Sequence, residues 1–212
     1  MEKSAYVILA IVAVSFIISI YFYQQMPERM VSHWGLHGEV DGTMDRFWGV
    51  FLWPVIIALL SLLFIAIPRI DPLRENVKQF RKYFDVFVAM LFLFMISLEL
   101  IMIVWNLGIQ IPMVPLISAW FAVLFFFVGR LLEHAKKNWF IGIRTPWTMS
   151  SEKVWDKTHQ LAAKLFKACG IIALLGIIAP PELAFVLILV PIMASAFYAT
   201  YYSYREYEKE RK

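Results

Sequence analysis

Six apolar segments, each close to the length that crosses a bilayer, are separated by loops whose basic residues fall almost entirely on alternate sides. An α-helix rising ~1.5 Å per residue needs ~20 residues to traverse a ~30 Å hydrocarbon core. The segments lie near Ser4–Gln24, Phe47–Ile67, Phe84–Trp105, Met113–Glu133, Leu165–Ala179 and Leu183–Tyr204. Hydrocarbon offers backbone N–H and C=O groups no water, so runs this long must satisfy them within helices, whereas a barrel would show short alternating strands. The expected fold class is therefore all-α: a polytopic membrane protein of six transmembrane helices, with an amphipathic interfacial helix before the fifth span. Composition agrees, since 61% of residues are hydrophobic and 17% charged, against roughly half and a quarter in soluble domains.

The basic residues orient the chain. Lys3 precedes the first span, five (Arg69, Arg74, Lys78, Arg81, Lys82) occupy the second loop, six (Lys136, Lys137, Arg144, Lys153, Lys157, Lys164) the fourth, and four (Arg205, Lys209, Arg211, Lys212) the C-terminal tail. The first loop holds only Arg29 and Arg46, and the third and fifth hold none. Because basic loops stay in the cytoplasm, both termini are expected there and the first loop outside, in a multi-pass protein of the cell membrane. The net charge of +4 is spread over these loops rather than gathered in one stripe. It therefore points to membrane lipid as a partner and not to direct nucleic-acid binding. The first span is too long, and too poor in small-residue cleavage signals, for a signal peptide, so it reads as retained. Cys169 is a lone cysteine and cannot form an intramolecular disulfide.

Residues 1–212 read as a single membrane domain in which two loops are too long to be spacers: an extracellular cap loop over 25–46, and a cytoplasmic signature loop with its amphipathic helix over 134–164. In the outer loop Gly35, Gly38 and Gly42 favour tight turns, so a compact, turn-rich cap is expected. His33 and His37 with Asp41 or Asp45 have metal-ligating chemistry. The glycines oppose the helix that would bring the two histidines onto one face, so turn-forming and hydrogen-bonding roles are expected instead, with no metal and no cofactor. In the inner loop Ser150 or Ser151 is a good N-cap, with Glu152 and Asp156 at the positive end of the following helix. Val154, Trp155, Thr158, Leu161, Ala162, Leu165 and Phe166 recur on one face, opposite Lys153, Asp156, Lys157, Gln160 and Lys164, which predicts an interfacial helix running into the fifth span. The preceding Arg144-Thr145-Pro146-Trp147 makes a Pro-stiffened, charged and aromatic surface.

Together these stretches resemble the SdpI family of integral membrane immunity proteins, which carries an outer domain of unknown function. The outer pattern is represented by Pro27, His33, Trp34, Gly38, Asp41 and Gly42. The longer and more specific inner pattern comprises Asn138, Gly142, Ile143, Arg144, Thr145, Pro146, Trp147, Thr148, Ser150, Ser151, Trp155, Thr158 and His159. Val31, Gln160 and Ala163 depart from residues common in the family. The resemblance implies a six-span immunity protein that protects against a membrane-active toxin peptide outside and, as in the founding system, signals to a cytoplasmic repressor. It implies toxin or ligand contacts at Pro27, His33, Trp34, His37, Gly38, Asp41 and Gly42, and a cytoplasmic role for Asn138, Gly142, Arg144, Thr145, Pro146, Trp147, Thr148, Ser151, Trp155 and His159.

Glu99 lies deep in the third span, where a carboxylate costs a few kcal/mol on insertion scales, so it should face protein. Either it ties helices together, through Ser118 or a Trp N–H, or it serves a small ion- or proton-coupled transporter or channel. Asp85, Arg130 and Glu133 sit near span ends and are expected to be interfacial or paired. Catalysis is not expected: His33 and His37 fall on one side of the membrane and His134 and His159 on the other, and no phosphate-binding loop or nucleophile elbow is present. A non-enzymatic binding protein is the leading reading. Its outer loop, with acidic Glu28, Glu39, Asp41 and Asp45 against two basic residues, complements a cationic peptide.

Overall fold

The computed structural model describes residues 2–211, with side chains from residue 5 to residue 211. In chain order it contains α1 (Glu2–Phe22), a 3-10 turn (Tyr23–Gln25), β1 (Arg29–Trp34), β2 (Val40–Asp45), α2 (Arg46–Ile70), α3 (Arg74–Asn106), α4 (Met113–His134), α5 (Pro146–Ser150), α6 (Glu152–Leu175) and α7 (Pro181–Arg211). Five stretches are long and apolar enough to cross a membrane: Ala5–Gln25, Arg46–Ile70, Arg74–Asn106, Met113–His134 and Pro181–Arg211. The chain is thus a polytopic, mostly helical membrane protein. The expected fifth span is fused to the amphipathic segment in one helix, α6. Only the second half of α6 is apolar, so it falls outside those five helices.

The helices divide into two compact units, one formed by residues 1–66 and 88–114 and the other by residues 67–87 and 115–212. Helix α3 belongs to both. At 33 residues it is ~50 Å long, well beyond the hydrocarbon thickness, and its first turns carry the charges Arg74, Glu75, Lys78, Arg81 and Lys82.

The first unit contains the outer loop, and here the expected turn-rich cap is overturned. The loop is an antiparallel hairpin in which Arg29 pairs with Asp45, Met30 with Met44, Val31 with Thr43, His33 with Gly42 and Trp34 with Val40. Ser32 is an extra residue on β1 and Asp41 an extra residue on β2, so two opposed bulges restore the register. Alternation of side chains drives this choice: Met30 is fully buried while its neighbour Arg29 is exposed. Met30 joins Met26, Val50, Met102 and Ile103 in a core flanked by Trp34 and Trp53. Gly49 of α2 makes room for it, since a Cβ there would meet the Met30 sulfur at 2.6 Å. The loop glycines serve the hairpin: Gly38 has a φ of +82° and Gly35 accepts from the Gly38 N–H.

In the second unit, small residues let helices approach closely. A Cβ on Gly170 of α6 would meet the Ala122 carbonyl oxygen of α4 at 2.8 Å, and one on Gly129 of α4 would meet that of Ala163 at 2.8 Å. Cys169 of α6 lies 3.2 Å from the Ser195 hydroxyl of α7, and Ala162 and Ala163 pack with Ala199. Close backbone contact with α4 and α7 compensates for the short apolar half of α6.

Candidate functional site

The hairpin gathers the outer residues singled out by sequence. Its position is set by Asn106 at the end of α3, whose side-chain oxygen accepts from the Val31 N–H at 2.8 Å and whose amide donates to the Val31 carbonyl at 3.0 Å. One amide thus stands in for a neighbouring strand. Trp34 packs edge-on against Trp105, with ring centroids 5.3 Å apart. Its indole N–H is buried without a hydrogen-bond partner. His33 projects to solvent and pairs with Asp41 at 2.5 Å. Gly42 lies beneath it, where a Cβ would strike the His33 Cβ at 2.8 Å. The Pro27 carbonyl accepts from Arg46, and the His37 backbone N–H donates to the Glu39 carboxylate. Among the described residues no group of three or more His, Cys, Asp or Glu could hold a metal ion.

Glu99 is fully buried in the same unit. Its partners are not the expected Ser118 or a Trp N–H but Ser15 and Ser19 of α1. These two lie four residues apart, on one face of that helix, and Ser118 belongs to the other unit, where its own hydroxyl is unpartnered. Ser19 Oγ lies 2.7 Å from the Val50 carbonyl, which can only accept, and 2.9 Å from Glu99 Oε1. A hydroxyl has one hydrogen. With that hydrogen on Val50, the Glu99 contact holds when Oε1 carries a proton and donates to Ser19, while Ser15 donates to Oε2 at 2.5 Å. The group is then a closed, neutral knot binding α1, α2 and α3.

In the second unit the signature residues form a folded loop around His159. Asn138 is fully buried: its amide donates to the carbonyls of Lys136 and Ile141, and its oxygen accepts from the Phe140 and Ile141 N–H groups. Asp71, between α2 and α3, accepts from the Trp139 N–H at 2.9 Å, and Asn76 donates to the Lys137 carbonyl at 2.8 Å. Gly142 has a φ of +108°, and a Cβ there would lie 2.3 Å from His159 Nε2. Thr145 and Thr148 form a reciprocal capping box with Pro146 at the start of α5, and the Thr145 hydroxyl bonds Ser203 of α7 at 3.0 Å. Ser151 caps α6 through the Val154 N–H and donates to Glu210 at 2.6 Å. Trp147 contacts the Tyr204 ring, and Arg144 donates to the Trp139 carbonyl.

His159 is 1% exposed and stacks on Trp155 with centroids 4.0 Å apart. Its Nε2 accepts from the Ile143 N–H at 3.1 Å, so the proton sits on Nδ1, which donates to the Trp155 carbonyl at 2.8 Å. Burial holds its pKa down at about 4, opposed by the Trp155 carbonyl and Asp156. The Trp155 indole donates to the Ala135 carbonyl at 2.8 Å. The face of α6 expected to lie on the membrane interface, Val154, Trp155, Thr158 and Ala162, is instead buried, and its Trp155 and Ala162 pack against the chain itself. Two polar handles here find backbone partners outside the helix, the Trp155 indole at Ala135 and His159 Nε2 at Ile143, while the Thr158 hydroxyl is buried without one. Most signature residues therefore hold the loop together. Gly142, Arg144, Pro146 and Ser150 are the signature residues left exposed, beside the exposed Trp139 and Phe140. Sequence reading missed Asp71, Asn76, Asn106, Ser15 and Ser19. Only the last two left a local signal, as a polar i, i+4 pair in an apolar run.

Comparison with known proteins matches these same two regions. A family described as "SdpI/YfhL protein family" matches residues 134–203, from the end of α4 through the signature loop into α7. A second, "Domain of unknown function (DUF1648)", matches residues 10–58, which contain most of α1, the hairpin and the start of α2. The "Immunity protein SdpI" of Bacillus subtilis (strain 168) is 27% identical over 208 residues, covering 98% of this chain and 97% of that protein. The chain is thus similar to SdpI-type proteins in both regions. No solved structure matches it. The hairpin lies in the stretch matched by the domain of unknown function, and His159 with its loop lies in the stretch matched by the SdpI/YfhL family.

Proposed function

We propose that this chain is an immunity protein of the SdpI type, protecting the cell that makes it from a membrane-active toxin peptide. The observation that carries the reading is the end-to-end match to a protein named for immunity, which includes both the hairpin and the signature loop. In this reading the hairpin lies outside and the signature loop and both termini lie in the cytoplasm, as the distribution of Lys and Arg favours. The protein works by binding, not catalysis. Pro27, His33, Trp34, His37, Gly38, Asp41 and Gly42 form or support the toxin-facing surface. The exposed signature residues, Arg144 among them, offer a surface through which a bound toxin could be reported to a cytoplasmic repressor. The ion-coupled alternative resting on Glu99 has little support, because both its carboxyl oxygens are engaged by Ser15 and Ser19 in a fully buried knot.

The test is replacement. A Bacillus subtilis strain deleted for its own SdpI, expressing this chain in the membrane, is challenged with the toxin to which that relative gives immunity. Survival above the empty-vector level is expected; death at the vector level, with the chain present in the membrane, counts against the reading. His33→Ala is the informative variant, because its exposed ring can be removed without opening the core. It is expected to reduce protection while membrane insertion is unchanged.

A further inference from the structure

We propose that the outer edge of β2 is a docking site for an extended peptide whose residues alternate between cationic and apolar, added to the hairpin as a third strand. This deepens the immunity reading and rests on it. A two-stranded hairpin has two open edges, each presenting backbone donors and acceptors to any strand that approaches. Here the centre of one edge is closed: Asn106 takes both the N–H and the carbonyl of Val31. That bond also fixes the geometry of the other edge. Because both Val31 groups point away from β2, the Val31–Thr43 pair is a non-hydrogen-bonded one, and the N–H and carbonyl of Thr43 point away from β1. The alternation carries the same orientation to Asp45, in step with the Arg46 N–H that donates to the Glu28 carbonyl one residue further on. Thr43 therefore presents a donor and an acceptor outward and Asp45 a second donor, while the Asp45 carbonyl, at the N-cap of α2, is taken up by the first turn of that helix.

Charge and shape narrow the occupant. Exposed Asp41, Asp45 and Glu39 lie along and beside this edge, their carboxylates also meeting His33, Arg29 and the His37 N–H, and at its ends Val40 and Phe47 are 44% and 51% exposed. The hairpin's other face is already buried through Met30. An added strand would set its cationic side chains on the acidic, solvent face and its apolar ones on the opposite face, continuing the face that Met30 and Met44 define. Backbone hydrogen bonds give affinity and alternate side chains give selectivity in this mode of recognition. Edges of this kind are normally guarded by lysine or proline, and β2 contains neither.

The test uses the full chain in lipid nanodiscs and an eight-residue amide of alternating Lys and Val, labelled with 13C at its carbonyls. Binding is expected to move the labelled amide I band to the extended-strand position. Thr43→Pro, which removes one outward N–H, should weaken binding at least tenfold. Thr43→Val, which removes only the hydroxyl held by Arg29, should leave it within twofold. A matched Glu–Val peptide should bind at least tenfold more weakly than the Lys–Val one. Equal binding of the two peptides, an unshifted band, or no binding with the hairpin intact by Trp emission overturns the proposal. Should Thr43→Pro fail to fold, the band position and the charge comparison still decide. If the wild-type chain protects cells and folded Thr43→Pro protects equally well, the edge is wrong while the immunity reading stands; if the peptide binds as stated but the chain protects against nothing, the converse holds.

Discussion

His159 is the residue on which the signature loop turns. As a neutral imidazole it both accepts from Ile143 and donates to Trp155. Protonation would put a donor against the Ile143 N–H and a charge in a buried site. With its pKa near 4 in the fold and about 6.5 unfolded, the unfolded chain binds more protons between those values. Stability should thus fall by up to ~1.4 kcal/mol per pH unit as pH drops from 6.5 towards 4, and change no further from this group below that. Denaturation of the detergent-solubilised protein across pH 4–7 measures the slope, and His159→Gln should flatten it. Gly142 shows how tightly the ring is held. Gly142→Ala combines a left-handed φ with a Cβ 2.3 Å from Nε2 and should cost more than the ~1–3 kcal/mol of backbone strain alone. Gly38→Ala, with positive φ but open space around it, should cost only that strain. Similar losses for the two would show that the ring is not held in place through Gly142. At Glu99 the closed knot predicts that Glu99→Gln, still neutral and still hydrogen-bonding, is tolerated, while Glu99→Leu strands Ser15 and leaves Ser19 with Val50 alone. Hydrogen bonds within membranes average ~0.6 kcal/mol, so the Gln variant should stay within about 1 kcal/mol of wild type in unfolding assays.

Among the elements, the hairpin depends on a residue outside it. Asn106→Leu removes the amide that grips Val31 and leaves that N–H and carbonyl unpaired, a loss of about 1–3 kcal/mol borne locally. The expected result is faster proteolytic cutting between residues 27 and 46 with the helical circular dichroism unchanged; equal cutting rates would mean that Trp34 and Met30 alone hold the strand. This dependence also explains what sequence could not show. A two-sided strand signal of six residues is short, and the bulges at Ser32 and Asp41 break its alternation, so three glycines in eight residues read as turns. The closure of the signature loop was equally hidden. Its residue types suggest a binding surface, yet Asn138, Thr145 and Thr148 spend their polar groups on backbone and on Ser203, and Asp71, 68 residues from Trp139, is brought in only by the fold. By contrast, the N-cap Ser151 and the long apolar helices were legible, because capping and bilayer thickness act through neighbouring residues alone.

For the whole molecule the governing feature is which loops face which solvent, and that follows from summed charge rather than from any contact. The basic residues of the second and fourth loops and the C-terminal tail would have to cross the membrane if the chain were inverted, whereas the hairpin brings only Arg29 and Arg46, and Arg29 is paired with Asp45. Loss of α6 as a crossing would put α7 in the opposite sense and carry four basic residues outward, against the charge rule. The small-residue contacts at Gly170 and Gly129 hold α6 against α4, and those of Ala162 and Cys169 hold it against α7, consistent with a sixth crossing. Single-cysteine labelling tests this directly, because native Cys169 is buried and gives a silent background. In intact cells a membrane-impermeant maleimide should modify Leu36→Cys at the exposed hairpin tip and spare Ser150→Cys and Tyr207→Cys until the membrane is permeabilised. Labelling of Tyr207→Cys from outside would remove α6 as a span. Labelling of Leu36→Cys and Ser150→Cys from one face would put hairpin and signature loop in the same compartment, against the proposed placement of the one outside and the other in the cytoplasm.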